Sequence, residues 1–294
     1  MKEEISKEEV FVFCIAYNCG LILNKCLDSF HKHHDCKVHI FGTYKDFKQL
    51  NKHKNNEYIE LSADDTLKEY YKNGHLGTAY IWTKVLLGEY SKCKKVIQVD
   101  SDIIFRQECI SDIIRGFKNG YDLIGQRRPY EKNPCNRTDL KGLNDVVGTC
   151  FVGVNCEKIS KYDFNTLHRM VVGYYNPLGH PILDFFDPVS FDILKNEGKV
   201  LYLSNEDYGG MDENGSKFNS FGKLNSIMDT GSKLNHWAGI GSGMNFHQNS
   251  NHSVPESYAE WAKKRYYLYM KVFYGQDIGE YDKEAYELLK EHIK

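Results

Sequence analysis

The amino-acid sequence predicts an α/β fold in which a mostly parallel central β-sheet is flanked by helices. The first observation is an apolar run at residues 10–17, followed by helical spacing at 21–30 and a short strand at 38–41. This strand–helix–strand order is typical of a βαβ unit, whose strands are parallel and whose helices cover the sheet. The second is that the 294 residues contain no internal repeat and no clear linker, which favours one large folded unit.

The remaining elements follow from apolar periodicity along the chain. Short apolar runs predict strands at 58–61, 96–99, 121–125, 146–154 and 200–203. Helical spacing predicts helices at 76–90, 110–117, 255–274 and 286–293. Asp187 followed by Pro188 predicts a helix start, because Asp is a good cap and Pro is tolerated at the first helical position. Residues 206–223, with four glycines, are predicted to form a loop.

Composition argues against several classes of protein. The formal net charge of −2 provides no global basic field for nucleic acid or anionic membranes. The nine cysteines contain no Cys-x-x-Cys pair, which argues against a zinc knuckle and fits a reducing compartment. The charged N-terminus lacks an apolar signal core, and no apolar run approaches the ~20 residues that span a bilayer. We therefore expect an intracellular, cytoplasmic protein.

The most informative stretch is the apolar run at 95–99, which ends in Asp100-Ser101-Asp102. In open α/β sheets, ligands bind at the carboxyl ends of the strands. If the chain stays extended, both carboxylates point the same way and favour a cation between them. Mg²⁺ and Mn²⁺ prefer such oxygen ligands and often share them with substrate phosphates. The alternative at this point is an Asp-Ser-Asp turn that caps the next segment.

A second constellation lies far downstream, where His236 opens a glycine-rich segment containing Gly239, Gly241 and Gly243. Glycines let a backbone approach a ligand closely and let its N–H groups face an anion. His236 is therefore a candidate third metal ligand or diphosphate contact, although a lone His is more often an ordinary loop residue.

With these motifs together, the sequence resembles nucleotide-sugar-dependent glycosyltransferases of the type-A fold, nearest to the glycogenin-like and lipopolysaccharide galactosyltransferase-like family. Residues 84–105 resemble its helix followed by an Asp-x-Asp strand, with Lys84 where the family usually has Arg. Residues 150–154 are similar to its Phe-Asn-x-Gly-Val strand but lack the Asn. Residues 187–192 stand where the family has an Asp-Gln-Asp helix start, and only Asp187 matches well. Residues 236–239 resemble its His-aromatic-x-Gly, with Ser242 in place of a later Lys.

The resemblance implies a single Rossmann-like type-A domain over residues 1–250, with a nucleotide half at about 1–106 and an acceptor half at about 107–250. Residues 251–294 would form a helical C-terminal extension packed on it. Asp100, Asp102 and His236 would hold Mn²⁺ or Mg²⁺, which would neutralise the leaving diphosphate of a nucleotide sugar, with UDP favoured.

Further residues are implied on the donor side. Ala16, Tyr17 and Asn18 would receive the nucleobase, and Lys84 and Ser101 would contact the donor. The backbone N–H groups of Gly239 and Gly241 would add donors to the phosphates.

On the acceptor side, Asp187, with Asp184 as second choice, is the candidate catalytic carboxylate. For Asp187 a plain helix cap carries equal weight. Retention is favoured, because the His-aromatic-x-Gly motif belongs to retaining families. A glycan or glycoconjugate is the expected acceptor, and nucleic acid stays open. The oligomeric state is not predicted. Aromatics such as Trp237, Trp261 and those of the Tyr-rich tail would suit stacking on a sugar or a base, although aromatic stripes at helical spacing are more often part of the core.

Three alternatives remain at this point. A phosphatase of the haloacid-dehalogenase type also uses a strand ending in Asp-x-Asp, but three strands precede the motif in this chain. A sugar-1-phosphate nucleotidyltransferase needs a basic glycine-rich loop after the first strand, which residues 18–21 do not supply. A non-catalytic nucleotide-sugar-binding protein is the third alternative.

Overall fold

The computed structural model describes residues 9–16, 18–61, 74–86, 88–129, 145–159, 193, 197–209, 229–248 and 256–292. The strands are β1 (Val10–Ala16), β2 (Val38–Gly42), β3 (Asn56–Glu60), β4 (Lys95–Val99), β5 (Ile103–Phe105), β6 (Leu123–Pro129), β7 (Asp145–Asn155), β8 (Val200–Tyr202), β9 (Asp229–Thr230) and β10 (Leu234–His236). The helices are α1 (Gly20–His33), α2 (Tyr44–Phe47), α3 (Gly74–Leu86), α4 (Ile110–Lys118), α5 (Asn205–Tyr208), α6 (Ile240–Gln248), α7 (Glu256–Tyr274) and α8 (Lys283–His292), and Cys156–Lys158 forms a 3₁₀ turn.

The main sheet has the strand order β3-β2-β1-β4-β7-β6-β8. Its first four strands are parallel to one another, and β8 is parallel to β6. Only β7 runs antiparallel to its two neighbours. The order 3-2-1-4 of the parallel strands is that of a Rossmann-like sheet. The predicted α/β fold with a mostly parallel, helix-flanked sheet and C-terminal helices is therefore confirmed.

Apolar side chains cover both faces of this sheet, as the continuous apolar runs of its strands require. On one face, alternate β1 residues such as Val12 and Cys14 join a large cluster with α1, α4 and α7. On the other face, Phe11 and Phe13 pack with residues of α3, including Trp82. The sheet is therefore a rigid central layer whose carboxyl edge can present polar side chains.

The C-terminal helices dock onto the cluster that contains α1. Tyr269 of α7 is buried, and its hydroxyl donates to the carbonyl oxygen of Ile22 over 3.3 Å. The Tyr274 hydroxyl donates to the carbonyl oxygen of Leu21 over 2.5 Å. The aromatic stripe of the tail therefore serves packing as well as hydrogen bonding.

Three local features differ from the sequence-based expectations. Strand β6 extends to Pro129 after a bulge between Gly125 and Arg127, four residues beyond the predicted end at 125. Helix α3 ends at Leu86, four residues before the predicted end. The predicted helix at 187–195 lies outside the described residues, apart from Ile193.

The eight cysteines in the described ranges are all free. None of the described helices combines the length and the apolar character that a membrane span needs.

Candidate metal centre

Asp100 and Asp102 lie at the carboxyl end of β4, on either side of a tight turn that leads into β5. Strand β4 is buried from Val96 to Val99, so the first carboxylate emerges directly where the apolar run ends. The backbone N–H of Asp100 donates to the carbonyl oxygen of Cys150 on β7 over 2.8 Å. The predicted strand-end position of the carboxylate pair is therefore observed.

His236 reaches the same place from the far end of the chain. It is the last residue of β10, which pairs antiparallel with β5 so that His236 lies opposite Ile103. The next backbone N–H, that of Trp237, donates to the carbonyl oxygen of Asp102 over 2.9 Å. The sequence did not predict this small sheet of β5, β10 and β9, and it is the sheet that brings His236 to the carboxylates.

The three side chains form a compact group of oxygen and nitrogen ligands. His236 Nε2 lies 3.4 Å from Asp102 Oδ1, and one ligand atom from each of Asp100, Asp102 and His236 lies within 4.8 Å of the others. Ligands at about 2.1 Å from one octahedral ion lie about 3 Å apart when adjacent and about 4.2 Å apart when opposite. The donor set and its spacing therefore fit a divalent cation after small side-chain rotations.

The negative charge of this site contributes to the pKa values of two buried groups nearby. Burial raises the pKa of the Cys26 thiol well above its ordinary value, and the carboxylates of Asp102 and Asp100 add to the rise. Burial likewise raises the pKa of the Tyr269 hydroxyl, with a contribution from Asp102. The thiol and the phenol therefore stay neutral beside the two carboxylates.

Asp100 is also held by a residue that sequence reasoning missed. Gln98, which is buried, donates from Nε2 to Asp100 Oδ1 over 2.9 Å, and its Oε1 accepts from Trp82 Nε1. The available signal was a single polar residue inside the apolar run of β4. Because side chains alternate along a strand, Gln98 and Asp100 share one side.

Two residues predicted to receive a nucleobase lie at the same sheet edge. Strands β1 and β4 are parallel neighbours, so Ala16 ends its strand at the edge where Asp100 ends the next one. The side chain of Ala16 is buried, which leaves its backbone for any ligand contact. Asn18 adopts φ 48°, and its N–H donates to Asp46 Oδ1 over 2.9 Å. Tyr17 lies outside the described residues.

Asp46 was also missed, and it ties two edge loops together. Its Oδ2 accepts from the backbone N–H and the hydroxyl of Thr43, at 3.0 and 2.7 Å, in a capping box that begins α2. The Thr-x-x-Asp spacing was the signal for it. The buried carboxylate therefore fixes the turn after β1 against the turn after β2.

The glycine-rich segment after His236 is mostly helical. Gly239 adopts φ +87°, a conformation that favours glycine, and a Cβ there would lie 2.7 Å from Trp261 Cζ3. Gly243 packs on the backbone of α7, where a Cβ would lie 2.0 Å from the carbonyl oxygen of Ala262. Only Gly241, of these three, faces open space. It is the second residue of α6, where a backbone N–H has no intrahelical acceptor.

Of the other predicted site residues, the structure describes Lys84 and Ser101 but not the two candidate catalytic aspartates. Lys84 Nζ forms an ion pair with Glu89 at 2.5 Å and lies 5.3 Å from the ring centroid of Tyr80. Ser101 is partly buried in the turn between the two carboxylates. Asp184 and Asp187 lie outside the described residues, so their predicted role is not tested.

The two tryptophans named as stacking candidates have different surroundings. Trp237 is buried and packs edge-on against Tyr269 and Phe273, with ring centroids 5.2 and 5.6 Å away. Trp237 therefore belongs to the core, the more frequent outcome for such aromatics, and does not present its ring for stacking on a ligand. Trp261 is 41% exposed and carries the Arg265 guanidinium 4.6 Å from its ring centroid.

No protein-family model matches this sequence, and no curated protein matches it significantly. Among solved structures, the galactosyltransferase LgtC with donor and acceptor sugar analogs is similar at TM-score 0.48 and 16% identity, over 86% of this chain and 95% of that one. An active-site mutant of LgtC is similar at TM-score 0.49 and 15% identity, over 86% and 99% of the chains. Mouse xyloside xylosyltransferase 1 in its apo form is similar at TM-score 0.43 and 11% identity, over 67% and 86%. All are glycosyltransferases by name, the class that the sequence motifs resemble.

Proposed function

We propose that this chain is a metal-dependent glycosyltransferase that moves a sugar from a nucleotide-diphosphate sugar to an acceptor hydroxyl, with retention and with a UDP-sugar as the favoured donor. The observation that supports this most is the convergence of Asp100, Asp102 and His236 at the carboxyl edge of a Rossmann-like sheet. This edge is where open α/β sheets bind ligands.

In this proposal, the two carboxylates and the imidazole hold Mn²⁺ or Mg²⁺. The two carboxylates suit either ion, the imidazole nitrogen is a better ligand for Mn²⁺ than for Mg²⁺, and the three ligands leave coordination positions for phosphate oxygens. When bound, the ion acts as a Lewis acid that stabilises the charge of the departing diphosphate. The protein side chains contribute by holding their positions before the donor arrives.

The donor would lie along the same edge. Ala16 ends β1, Tyr17 and Asn18 come next in the sequence, and all three would contact the nucleobase, with the turn held in place by Asp46. The N–H of Gly241 at the start of α6 would donate to a phosphate oxygen, since helix N-termini favour anions. The N–H of Gly239, the side chain of Ser101 and the ammonium group of Lys84 are further proposed donor contacts.

The acceptor side rests on the sequence resemblance. Asp187, with Asp184 as second choice, is proposed to bind or deprotonate the acceptor hydroxyl. A glycan or glycoconjugate is the proposed acceptor. The division into a nucleotide half at about 1–106, an acceptor half at about 107–250 and a C-terminal extension at 251–294 belongs to the same proposal.

The first experiment measures metal-dependent nucleotide binding. The melting temperature is recorded with UDP, GDP, ADP or CMP, each with and without Mn²⁺. A ligand at 100 times its dissociation constant stabilises the native state by about 2.7 kcal/mol. For chains of this order of size, that corresponds to a rise of roughly 5–10 °C. We expect the largest rise with UDP and Mn²⁺ together, and we expect Asp102→Ala and His236→Gln to abolish the metal-dependent part.

A matched control separates the site from general effects of charge removal. Asp28 is an exposed carboxylate on α1, outside the metal group, so Asp28→Ala should keep the full metal-dependent rise. The proposal fails if no nucleotide gives a metal-dependent rise, or if Asp102→Ala responds as the wild type does.

The second experiment tests turnover. Nucleotide sugars are incubated with the protein and Mn²⁺, and mass spectrometry follows which donor is slowly hydrolysed. Binding without turnover of any donor would instead support a non-catalytic nucleotide-sugar-binding protein. Hydrolysis of a generic aryl phosphate would favour the phosphatase alternative, which assigns Asp100 as a nucleophile and gives His236 no part.

A further inference from the structure

Gln98 is a buried amide placed between an apolar core and the candidate metal centre. It is 2% exposed, and it lies on β4 two residues before Asp100. Its Nε2 donates to Asp100 Oδ1 over 2.9 Å. A buried polar group costs free energy unless it is hydrogen-bonded, so this amide is held firmly by its partners.

The orientation of the amide is set by Trp82 on α3. The Trp82 indole is fully buried, and its Nε1 donates to Gln98 Oε1. An indole N–H can only donate, so the amide oxygen must face Trp82 and the amide nitrogen must face Asp100. The indole of Trp82 therefore determines that Gln98 presents its amide nitrogen, and not its amide oxygen, to the Asp100 carboxylate.

The main chain of Asp100 is held by hydrogen bonds to two other elements. Its N–H donates to the carbonyl oxygen of Cys150 over 2.8 Å, and its own carbonyl oxygen accepts from the Cys26 thiol over 3.3 Å. With the backbone held by β7 and α1, the contact from Gln98 restricts the rotation of the carboxylate.

We propose that Gln98 is a positioning residue for the metal ligand Asp100, and that Trp82 acts on the same carboxylate through Gln98. This inference rests on the proposed metal-dependent function. Ligands held in place before the ion arrives lose less side-chain entropy on binding, and removal of such partners typically lowers metal affinity about 10–100-fold.

The test measures Mn²⁺ affinity with the metal alone, by calorimetry or by the electron paramagnetic resonance of free Mn²⁺. Gln98→Met keeps the length of the side chain but removes the donor, and we expect it to weaken Mn²⁺ binding about tenfold or more. Trp82→Phe keeps a ring in the core but removes the N–H that orients the amide. We expect it to weaken binding by a smaller factor, since Gln98 can still donate part of the time.

The double variant identifies the route of the effect. If Trp82 acts only through Gln98, then Gln98→Met with Trp82→Phe should bind Mn²⁺ no more weakly than Gln98→Met alone. Additive losses would show that Trp82 affects the site by another path and would overturn that part of the proposal. The Trp82→Phe variant also supplies the readout if Gln98→Met does not fold.

A matched control distinguishes positioning from general loss of stability. Asn24 on α1 is another buried amide, which donates to the carbonyl oxygen of Gln49 and accepts from the N–H of Asn51, both over 2.7 Å. Asn24→Leu should lower the unfolding midpoint and leave Mn²⁺ affinity unchanged. Equal loss of affinity in Asn24→Leu and Gln98→Met would assign the effect to destabilisation and overturn the proposal.

The failure of this inference is distinguishable from the failure of the proposed function. If the wild type binds no Mn²⁺, both are overturned. If the wild type binds Mn²⁺ and Gln98→Met binds it equally well, only the positioning role of Gln98 is lost.

Discussion

The contact between α6 and α7 gives a sharp test of how the glycine-rich segment is built. Gly243 lies inside α6, and a Cβ there would lie 2.0 Å from the carbonyl oxygen and 2.6 Å from the carbonyl carbon of Ala262. Ordinary contact begins at 3.4 Å, so Gly243→Ala must push backbone away from backbone by about 1.4 Å. No rotation of a side chain relieves this clash.

The expected magnitude follows from two opposing effects. Overpacking a well-packed contact costs about 1–3 kcal/mol, and a clash with main-chain atoms belongs at the upper end. Alanine gains up to about 1 kcal/mol over glycine inside a helix. We therefore expect Gly243→Ala to lower the free energy of unfolding by about 2 kcal/mol, which is a fall of about 4–8 °C in melting temperature.

Gly241→Ala is the matched control, because it lies on the same helix and a Cβ there meets nothing within 4 Å. It should leave stability unchanged or raise it by up to about 1 kcal/mol. Urea unfolding of both variants, compared at equal slope, gives the two values. The reasoning is refuted if Gly243→Ala unfolds at the wild-type midpoint, or if Gly241→Ala is destabilised as much as Gly243→Ala.

Three further predictions concern stability. Burial lowers the pKa of His31 and of His39, so the unfolded chain binds more protons than the native protein once the pH falls below about 6.5. The contribution of the two neutral imidazoles to stability is therefore full above about pH 6.5 and is lost as the pH falls towards the folded pKa. The urea midpoint should fall between pH 7 and pH 5, and His39→Gln should make this fall smaller. Asp112 Oδ2 accepts from Lys233 Nζ over 2.5 Å and so joins α4 to the turn before β10. Asp112→Asn should therefore lower the free energy of unfolding in urea by about 1.5–3 kcal/mol, and a decrease under about 0.5 kcal/mol would contradict this. The hydroxyl of Tyr274 donates to the α1 backbone, so Tyr274→Phe should cost about 0.5–1.5 kcal/mol and speed proteolysis of the C-terminal helices, whereas an unchanged cleavage rate would show that this bond does not hold them.

The carboxylate pair was predictable because its signal is local. An apolar run that stops at Asp100 and Asp102 can be recognised without knowing any partner, and so can the position of such a run at a sheet edge. The helix cap at Thr43 and Asp46 had an equally local signal in its spacing. Features of this kind depend on a few neighbouring residues, so they lie within reach of sequence reasoning, although only the carboxylate pair was in fact predicted.

The surroundings of the carboxylates were not predictable, because they depend on contacts between distant segments. Nothing in the sequence around Gln98 shows that its amide lies between Trp82 and Asp100, since Trp82 comes from another helix. The sequence left open whether Trp237 stacks on a ligand or belongs to the core, and α7 covers it completely. Burial by a distant helix is decided by packing, which periodicity in one segment does not report.

The sequence by itself determined the α/β class, the parallel half of the sheet and the strand that delivers two carboxylates to its edge. It also marked His236 as a candidate partner, through its place at the start of a glycine-rich segment and then through a family resemblance. The tertiary structure decided that β10 pairs with β5 and thereby brings the His236 imidazole within 3.4 Å of the Asp102 carboxylate. The physical reason is that strand pairing across more than a hundred residues depends on which edge is left open once the rest of the sheet has formed, and no local pattern specifies that edge.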